Sequence, residues 1–141
     1  MYNILIPVDG SASSERAVRH VVELAKLVGP MQAHVVNVQP AVTAWEVKRF
    51  LREREIDDLH TALSEESTQA ACAILDAAGI SYQLHHRVGE VAETIAELAV
   101  SSGCNQIVMG TRGMGSVEGL LLGSTSTKVL HLVQVPVTLV K

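Results

Sequence analysis

Glycines and hydroxyl residues are concentrated in one stretch of this 141-residue chain, between Met109 and Thr127. The stretch follows an apolar run over 106–109 and ends in Gly123 and four consecutive hydroxyl residues that begin at Ser124. Glycines let a backbone approach a phosphate closely, and the free N–H groups at the positive end of a helix attract negative charge. A strand, a glycine loop and a hydroxyl-rich helix start therefore predict an anion site, and the ligand it favours is a nucleotide, ATP in the first place.

The elements that must position this stretch alternate between strands and helices. Five segments have the short, apolar character that is typical of strands: 4–8, 33–38, 80–88, 105–109 and 135–140. Four segments have the spacing of amphipathic helices: one from Ser11 or Ser13 to Gly29, then 56–78, 91–100 and 124–133. Strict alternation of this kind predicts a single-domain α/β/α sandwich with a five-stranded parallel sheet, in the order 3-2-1-4-5.

The predicted topology also brings two loops together. Asp9 follows the first strand and Gly110 follows the fourth. In open parallel sheets, ligands bind beyond the carboxyl ends of the strands, where the winding direction reverses. If these two strands are neighbours, Asp9 and Gly110 line one crevice.

Composition excludes several other classes of protein. Hydrophobic residues make up 48% and charged residues 18% of the chain, which indicates an ordered globular protein. The net charge is −4 and no basic stripe stands out, so nucleic acid is not an expected partner. No apolar run reaches the roughly 18 residues of a membrane helix, and the N-terminus lacks the pattern of a signal peptide. Cys72 and Cys104 lie far apart, as expected of reduced thiols in a cytoplasmic protein.

The spacing Gly110-x2-Gly113-x9-Gly123-Ser124 lacks the lysine of a phosphate-binding P-loop. It resembles the ATP-binding signature of the universal stress protein family. Three further segments are similar to that family: Ile6-Pro7-Val8-Asp9-Gly10-Ser11, Val88-Gly89-Glu90 and Val135-Pro136-Val137. The resemblance covers residues 1–141 as one domain and implies an adenine nucleotide alpha hydrolase-like fold.

The resemblance implies a role for each residue of the site. ATP would bind with Mg²⁺ or Mn²⁺, and Asp9 would lie near the ribose and phosphates and help to hold the metal. The adenine pocket would be lined by Pro7, Val8 and Val38. Ribose and phosphate would contact the loop residues Met109, Gly110, Thr111 and Gly113. The position of Arg112 inside the loop, and not the resemblance, indicates that its guanidinium could reach a phosphate, and a solvent-exposed side chain is the alternative. The phosphates would be held by Gly123, Ser124, Thr125 and Ser126.

Some of these residues have simpler interpretations. Asp9 could cap the first helix, and Ser124 is expected to be the N-cap of the fourth helix, which is compatible with a phosphate contact at the same helix end.

The histidines are expected to be structural or surface residues, because His85 and His86 are adjacent on a strand and point to opposite faces.

The resemblance implies a small cytoplasmic stress-response protein for which the nucleotide is a regulatory ligand. It also implies a homodimer that pairs through the predicted strand over 135–140. No catalytic residue is assigned, since the loop offers one arginine and Asp9 is the only acid expected at a strand end in the crevice. Two alternatives stay open: an interaction module that uses no nucleotide, and a weak ATPase in which a metal and one carboxylate orient water.

Overall fold

Strands and helices alternate along the chain in a computed structural model that describes residues 1–42, 52–111 and 122–141. The elements, numbered in chain order, are β1 (Tyr2–Pro7), α1 (Ala12–Val28), β2 (Met31–Gln39), α2 (Glu53–Ala78), β3 (Tyr82–Val88), α3 (Val91–Ser101), β4 (Gln106–Gly110), α4 (Ser124–Leu132) and β5 (Val137–Val140).

The five strands form one parallel sheet in the order β3-β2-β1-β4-β5, which confirms the predicted fold and strand order. β1 therefore lies between β2 and β4. β5 begins at Val137, two residues later than predicted, so Val135 lies outside the strand. Pro136, which has no N–H to donate, instead accepts a hydrogen bond from the N–H of Ile107 at 2.9 Å through its carbonyl.

The two faces of the sheet bury separate hydrophobic cores. Side chains alternate along β1, so Ile4 and Ile6 belong to the core beneath α1 and α2, whereas Leu5 belongs to the core beneath α3 and α4. The largest side chains of both cores are fully buried, among them Leu75 of α2 and Ile95 of α3. The sheet is thus covered on both faces, and the first pair of helices lies opposite the second pair.

The ends of the helices follow local chemistry. The Oγ of Ser11 accepts a hydrogen bond from the N–H of Ser14 at 3.2 Å and caps α1, which ends at Gly29 with φ at 90°. α2 begins at Glu53, three residues earlier than predicted, because its first turn is charged and carries no apolar pattern. At 26 residues α2 is long, but no helix of the described ranges is apolar enough to cross a membrane.

Both cysteines are free thiols. Cys72 is half-buried on α2 and Cys104 is buried just before β4. Burial raises the pKa of each thiol, so both sulfurs are held in their protonated, less nucleophilic form.

Candidate functional site

A cleft of about 920 Å³ opens at the carboxyl ends of β1, β2 and β4. The chain leaves β1 towards one face of the sheet and leaves β4 towards the other, so the two loops diverge and leave a crevice between them. Ten residues predicted from the sequence line this cleft: Pro7, Val8, Asp9, Val38, Met109, Gly110, Gly123, Ser124, Thr125 and Ser126. The other three behave differently: Thr111 is buried beside the cleft, and Arg112 and Gly113 lie outside the described residues.

The N-terminus of α4 has no side-chain cap. The N-cap residue is Gly123, with φ at −75°, and its carbonyl accepts the first intrahelical hydrogen bond from the N–H of Thr127 at 3.1 Å. The prediction that Ser124 is the N-cap is therefore wrong, since Ser124 is already the first helical residue. The N–H groups of Ser124, Thr125 and Ser126 precede that first bond, so they have no carbonyl acceptor within the helix.

The hydroxyl of Ser126 is used inside the protein. Ser126 is 3% exposed, and its Oγ donates to the carbonyl of Gly110 at 3.0 Å, with the carbonyl of Thr111 at 3.3 Å. This contact ties the first turn of α4 to the end of β4. The group that Ser126 can offer to a ligand is consequently its backbone N–H.

Thr111 joins β5 to α4. Its N–H donates to the carbonyl of Val140 at 3.0 Å, and its carbonyl accepts from the N–H of Gly123 at 2.6 Å. Both main-chain groups of Thr111 are thus engaged by the protein, and the residue is 5% exposed. The structure assigns it a part in holding the cleft together.

Gly110 is required by the close approach of α1. A Cβ at this position would lie 2.9 Å from both the carbonyl carbon and the Cβ of Ser13, and it would also collide with the Ser13 hydroxyl. That hydroxyl donates to the carbonyl of Val140 at 3.2 Å. A glycine at the end of β4 therefore lets the first turn of α1 pack closely over the paired ends of β4 and β5.

Asp9 shapes the turn that precedes α1. One of its carboxylate oxygens accepts from the N–H of Ser11 at 2.9 Å, while the N–H of Asp9 donates to the Oγ of Ser14 at 3.4 Å. The helix cap is Ser11, so the interpretation of Asp9 as the N-cap is wrong. Asp9 lies in the turn just before the cap and borders the cleft.

Sequence reasoning missed one wall of the cleft. Residues of α2 and of the end of β2 line it: Asn37, Gln39, Leu63, Glu66, Ser67, Gln69 and Ala70. The amphipathic pattern of α2 indicated that the helix packs on the sheet, but not that its side chains reach the crevice. The available signal was Asn37, a polar residue within an apolar strand.

Charge in the described part of the cleft is negative. Asp9, Glu15 and Glu66 line it, and no lysine or arginine does so among the described residues. Lys128 of α4 is held elsewhere, because its Nζ lies 3.2 Å from a carboxylate oxygen of Glu90. An anion bound here would rely on backbone N–H groups and on a cation that accompanies it.

The described residues contain no cluster of three or more side chains that could bind a metal by themselves. Mg²⁺ is commonly bound by one or two carboxylates together with the phosphates of a ligand. The carboxylate of Asp9, which borders the cleft, suits that arrangement. A metal at this site would thus be shared with the phosphates of the ligand.

A pair of histidines lies outside the cleft. Nδ1 of His34 is 3.0 Å from Nε2 of His85, and the two rings stack with centroids 5.3 Å apart. Burial lowers the pKa of both rings, and the charges of His34 and Arg87 lower that of His85 further. These rings join β2 to β3.

The family model described as the universal stress protein family matches residues 1–141. A universal stress protein of Mycolicibacterium smegmatis is 31% identical over 99% of this chain, which spans 48% of that relative. Universal stress protein G of Escherichia coli O157:H7 is also 31% identical, over 98% of this chain and 97% of the relative. The chain thus spans about half of the first relative and nearly all of the second.

Three solved structures share the fold. UspA from Lactobacillus plantarum is 20% identical with a TM-score of 0.82, covering 99% of this chain and 97% of its own. A universal stress protein from Archaeoglobus fulgidus, solved in complex with dAMP, is 24% identical with a TM-score of 0.74 over 100% and 98% of the two chains. A family member from Arabidopsis thaliana, solved with AMP bound, is 15% identical with a TM-score of 0.73 over 100% and 92%. At these identities the likeness concerns the fold alone.

Proposed function

Because this chain belongs to the universal stress protein family, we propose that it binds an adenine nucleotide, ATP in the first place, in the cleft between β1 and β4. The observation that carries the proposal is the N-terminus of α4, which has no side-chain cap and lines a cleft of about 920 Å³. The structures from Archaeoglobus fulgidus and Arabidopsis thaliana, solved with dAMP and AMP, support a mononucleotide as the class of ligand.

The cleft matches a nucleotide in length and in the placing of its polar and apolar ends. Three backbone N–H groups of 124–126 lie at the positive end of α4, which suits phosphate oxygens. β2 lies on the other side of β1, two strand spacings from β4, which is roughly 10 Å. Apolar side chains line the cleft there, Val36 and Val38 of β2 and the following Pro40, and they suit the faces of a base. Phosphates at α4 and a base at β2 therefore fit one extended ligand.

A divalent cation completes this proposal. Three carboxylates and no described lysine or arginine line the cleft, so the negative charge of a triphosphate needs a partner. Mg²⁺ or Mn²⁺ bridging Asp9 and the phosphates would supply it. The guanidinium of Arg112 stays a second predicted partner, in the part of the chain outside the described residues.

The nucleotide acts as a regulatory ligand in this proposal, in a cytoplasmic protein that responds to stress. Phosphoryl transfer needs a positioned base and cations that clamp the phosphates. Asp9 is the acid that the sequence analysis places near the phosphates, one of its oxygens accepts from the N–H of Ser11, and no described lysine or arginine of the cleft clamps the phosphates. Weak ATP hydrolysis, in which Asp9 and a metal orient water, is the second candidate function.

The edge of the sheet at β5 is the proposed site of homodimerisation. Within the ranges that the structure describes, β5 pairs with β4 on one side and with no strand on the other. Leu130 and Leu132 of α4, the helix that precedes β5 in the chain, are 42% and 43% exposed. An unpaired strand edge and exposed apolar side chains both favour association with a second copy. Sedimentation velocity should show a dimer that Leu132→Asp weakens, and a wild-type monomer would contradict the proposal.

Calorimetric titration of the purified protein with ATP, AMP and FMN tests the main proposal. ATP and AMP are expected to bind, ATP more tightly when Mg²⁺ is present, and FMN is not. Binding should also raise the melting temperature, because the ligand stabilises the folded state alone. Absence of both effects would leave the nucleotide-independent interaction module as the better interpretation. Phosphate release above that of a binding-deficient variant would favour the weak ATPase.

A further inference from the structure

A chain of hydrogen bonds lies where the base is proposed to bind. Asn37 of β2 is 2% exposed, and its Nδ2 donates to the carbonyl of Val8 at 2.8 Å. Its Oδ1 accepts from the Oγ of Ser64 at 3.0 Å and from the Nε2 of Gln39 at 2.7 Å. Gln39, which stands at the end of these hydrogen bonds, lines the cleft.

These bonds fix which way each amide faces. A backbone carbonyl only accepts, so the Asn37 atom beside the carbonyl of Val8 must be its nitrogen. The oxygen of Asn37 then faces Gln39, which must present its own nitrogen in return. The side-chain carbonyl of Gln39 is consequently the end of the amide that the network leaves to act as an acceptor.

The backbone of Gln39 is fixed as well. Its carbonyl accepts from the N–H of Gly89 at 3.0 Å, which joins the ends of β2 and β3. A glutamine on a free side chain can rotate its amide and accept or donate as the ligand requires. Gln39 cannot do so without breaking its 2.7 Å bond to Asn37. An amide held in one orientation discriminates between ligands, whereas a rotating one does not.

We infer that Gln39 is a specificity-determining residue whose side-chain carbonyl accepts a hydrogen bond from the 6-amino group of adenine. This inference rests on the proposed function. A glutamine amide pairs with the amino group and a ring nitrogen of adenine. Guanine and hypoxanthine present a carbonyl at position 6, which would face the carbonyl of Gln39 with no hydrogen between them. The cleft is thereby selective for 6-aminopurines.

The test compares AMP with purine riboside 5′-monophosphate, which lacks the 6-amino group, and with IMP, which has a 6-oxo group. The wild-type protein should bind AMP about tenfold more tightly than the purine analogue, the usual effect of one hydrogen bond, and IMP should bind no better than the analogue. Gln39→Met has nearly the same volume and no acceptor. Gln39→Met should reduce the preference for AMP over the purine analogue to within about twofold, mainly because AMP binds the variant more weakly.

Gln83→Met is the matched control, because Gln83 is exposed on β3 and outside the cleft. It should keep the wild-type preference. Glu66 is a competing acceptor on the α2 wall. Glutamine would leave a carbonyl acceptor there, so Glu66→Met is the variant that removes it, and the preference for AMP over the purine analogue should survive that change.

Equal binding of AMP and the purine analogue by the wild type would overturn the inference and leave the proposed function standing. A full preference for AMP in Gln39→Met, or loss of that preference in Glu66→Met, would also overturn the inference. Binding of none of the three nucleotides would refute the proposed function itself. The wild-type comparison needs no variant, so the inference remains testable even if Gln39→Met does not fold.

Discussion

Replacing Gly123 by aspartate should stabilise the protein and at the same time strongly weaken nucleotide binding. Gly123 has φ at −75°, a conformation that any residue adopts, so the change places no strain on the backbone. An aspartate at the N-cap accepts hydrogen bonds from the second and third N–H groups of the helix. Here those groups belong to Thr125 and Ser126, the donors assigned to the phosphates.

The two effects have opposite signs and different sizes. Aspartate improves on glycine as a cap by a few tenths of a kcal/mol, and its charge at the helix start adds about 0.3–1 kcal/mol. The sum of about 1 kcal/mol corresponds to roughly 2–4 °C in melting temperature at this chain length. Loss of two charge-assisted hydrogen bonds, each worth about 1.5–3 kcal/mol, weakens nucleotide binding by about 10² to 10⁴-fold.

Differential scanning fluorimetry without ligand and calorimetry with ATP measure the two effects on one preparation. Gly123→Asn is the matched control, since asparagine has the same shape and caps the helix without the charge. It should weaken binding less than aspartate does. A Gly123→Asp protein that melts higher and still binds ATP with wild-type affinity would refute the assignment of the phosphates to α4.

Three other predictions follow from the described contacts. Gly110→Ala should lower the free energy of unfolding by about 1–3 kcal/mol in urea titrations, because the added Cβ meets Ser13; an unchanged midpoint would contradict this close packing. Burial lowers the pKa of His34 and His85 below 6.5, so the unfolded chain binds more protons and the free energy of unfolding should fall as the pH drops below 6.5. His34→Gln should make the free energy of unfolding depend less on pH. If the pH dependence stays as steep, other titratable groups cause it. Asp9→Asn should reduce the gain in ATP affinity that Mg²⁺ produces and leave AMP binding in EDTA nearly unchanged; a full gain would remove Asp9 as a metal ligand.

The positions of the strands along the chain were predictable because each buried strand is a short apolar run between clear breaks, and their strict alternation with helices favoured the observed order. Residues 33–38 and 105–109 show this, and Gly29 ends α1 as predicted. The N-cap of α4 was not predictable. Glycine and serine are both acceptable there, and the choice depends on where Thr111 anchors the N–H of Gly123.

The wall formed by α2 was missed for a related physical reason. Sequence periodicity shows which face of a helix is apolar, but the contact between Ser64 and Asn37 depends on how the helix lies across the sheet. That angle is set by packing between distant segments. Polar residues such as Asn37 acquire their partners only at that stage, so their roles are not contained in any local pattern.

The reversal of winding between β1 and β4 also affects rigidity. α1 and α4 begin at the same cleft, yet they cover opposite faces of the sheet and pack into different cores. A molecule seated between their first turns would act as a crosslink between two layers that otherwise communicate through the strands. Binding in the cleft would then make both helix layers more rigid. The affinity of a protein that binds either face could therefore depend on whether the cleft is occupied.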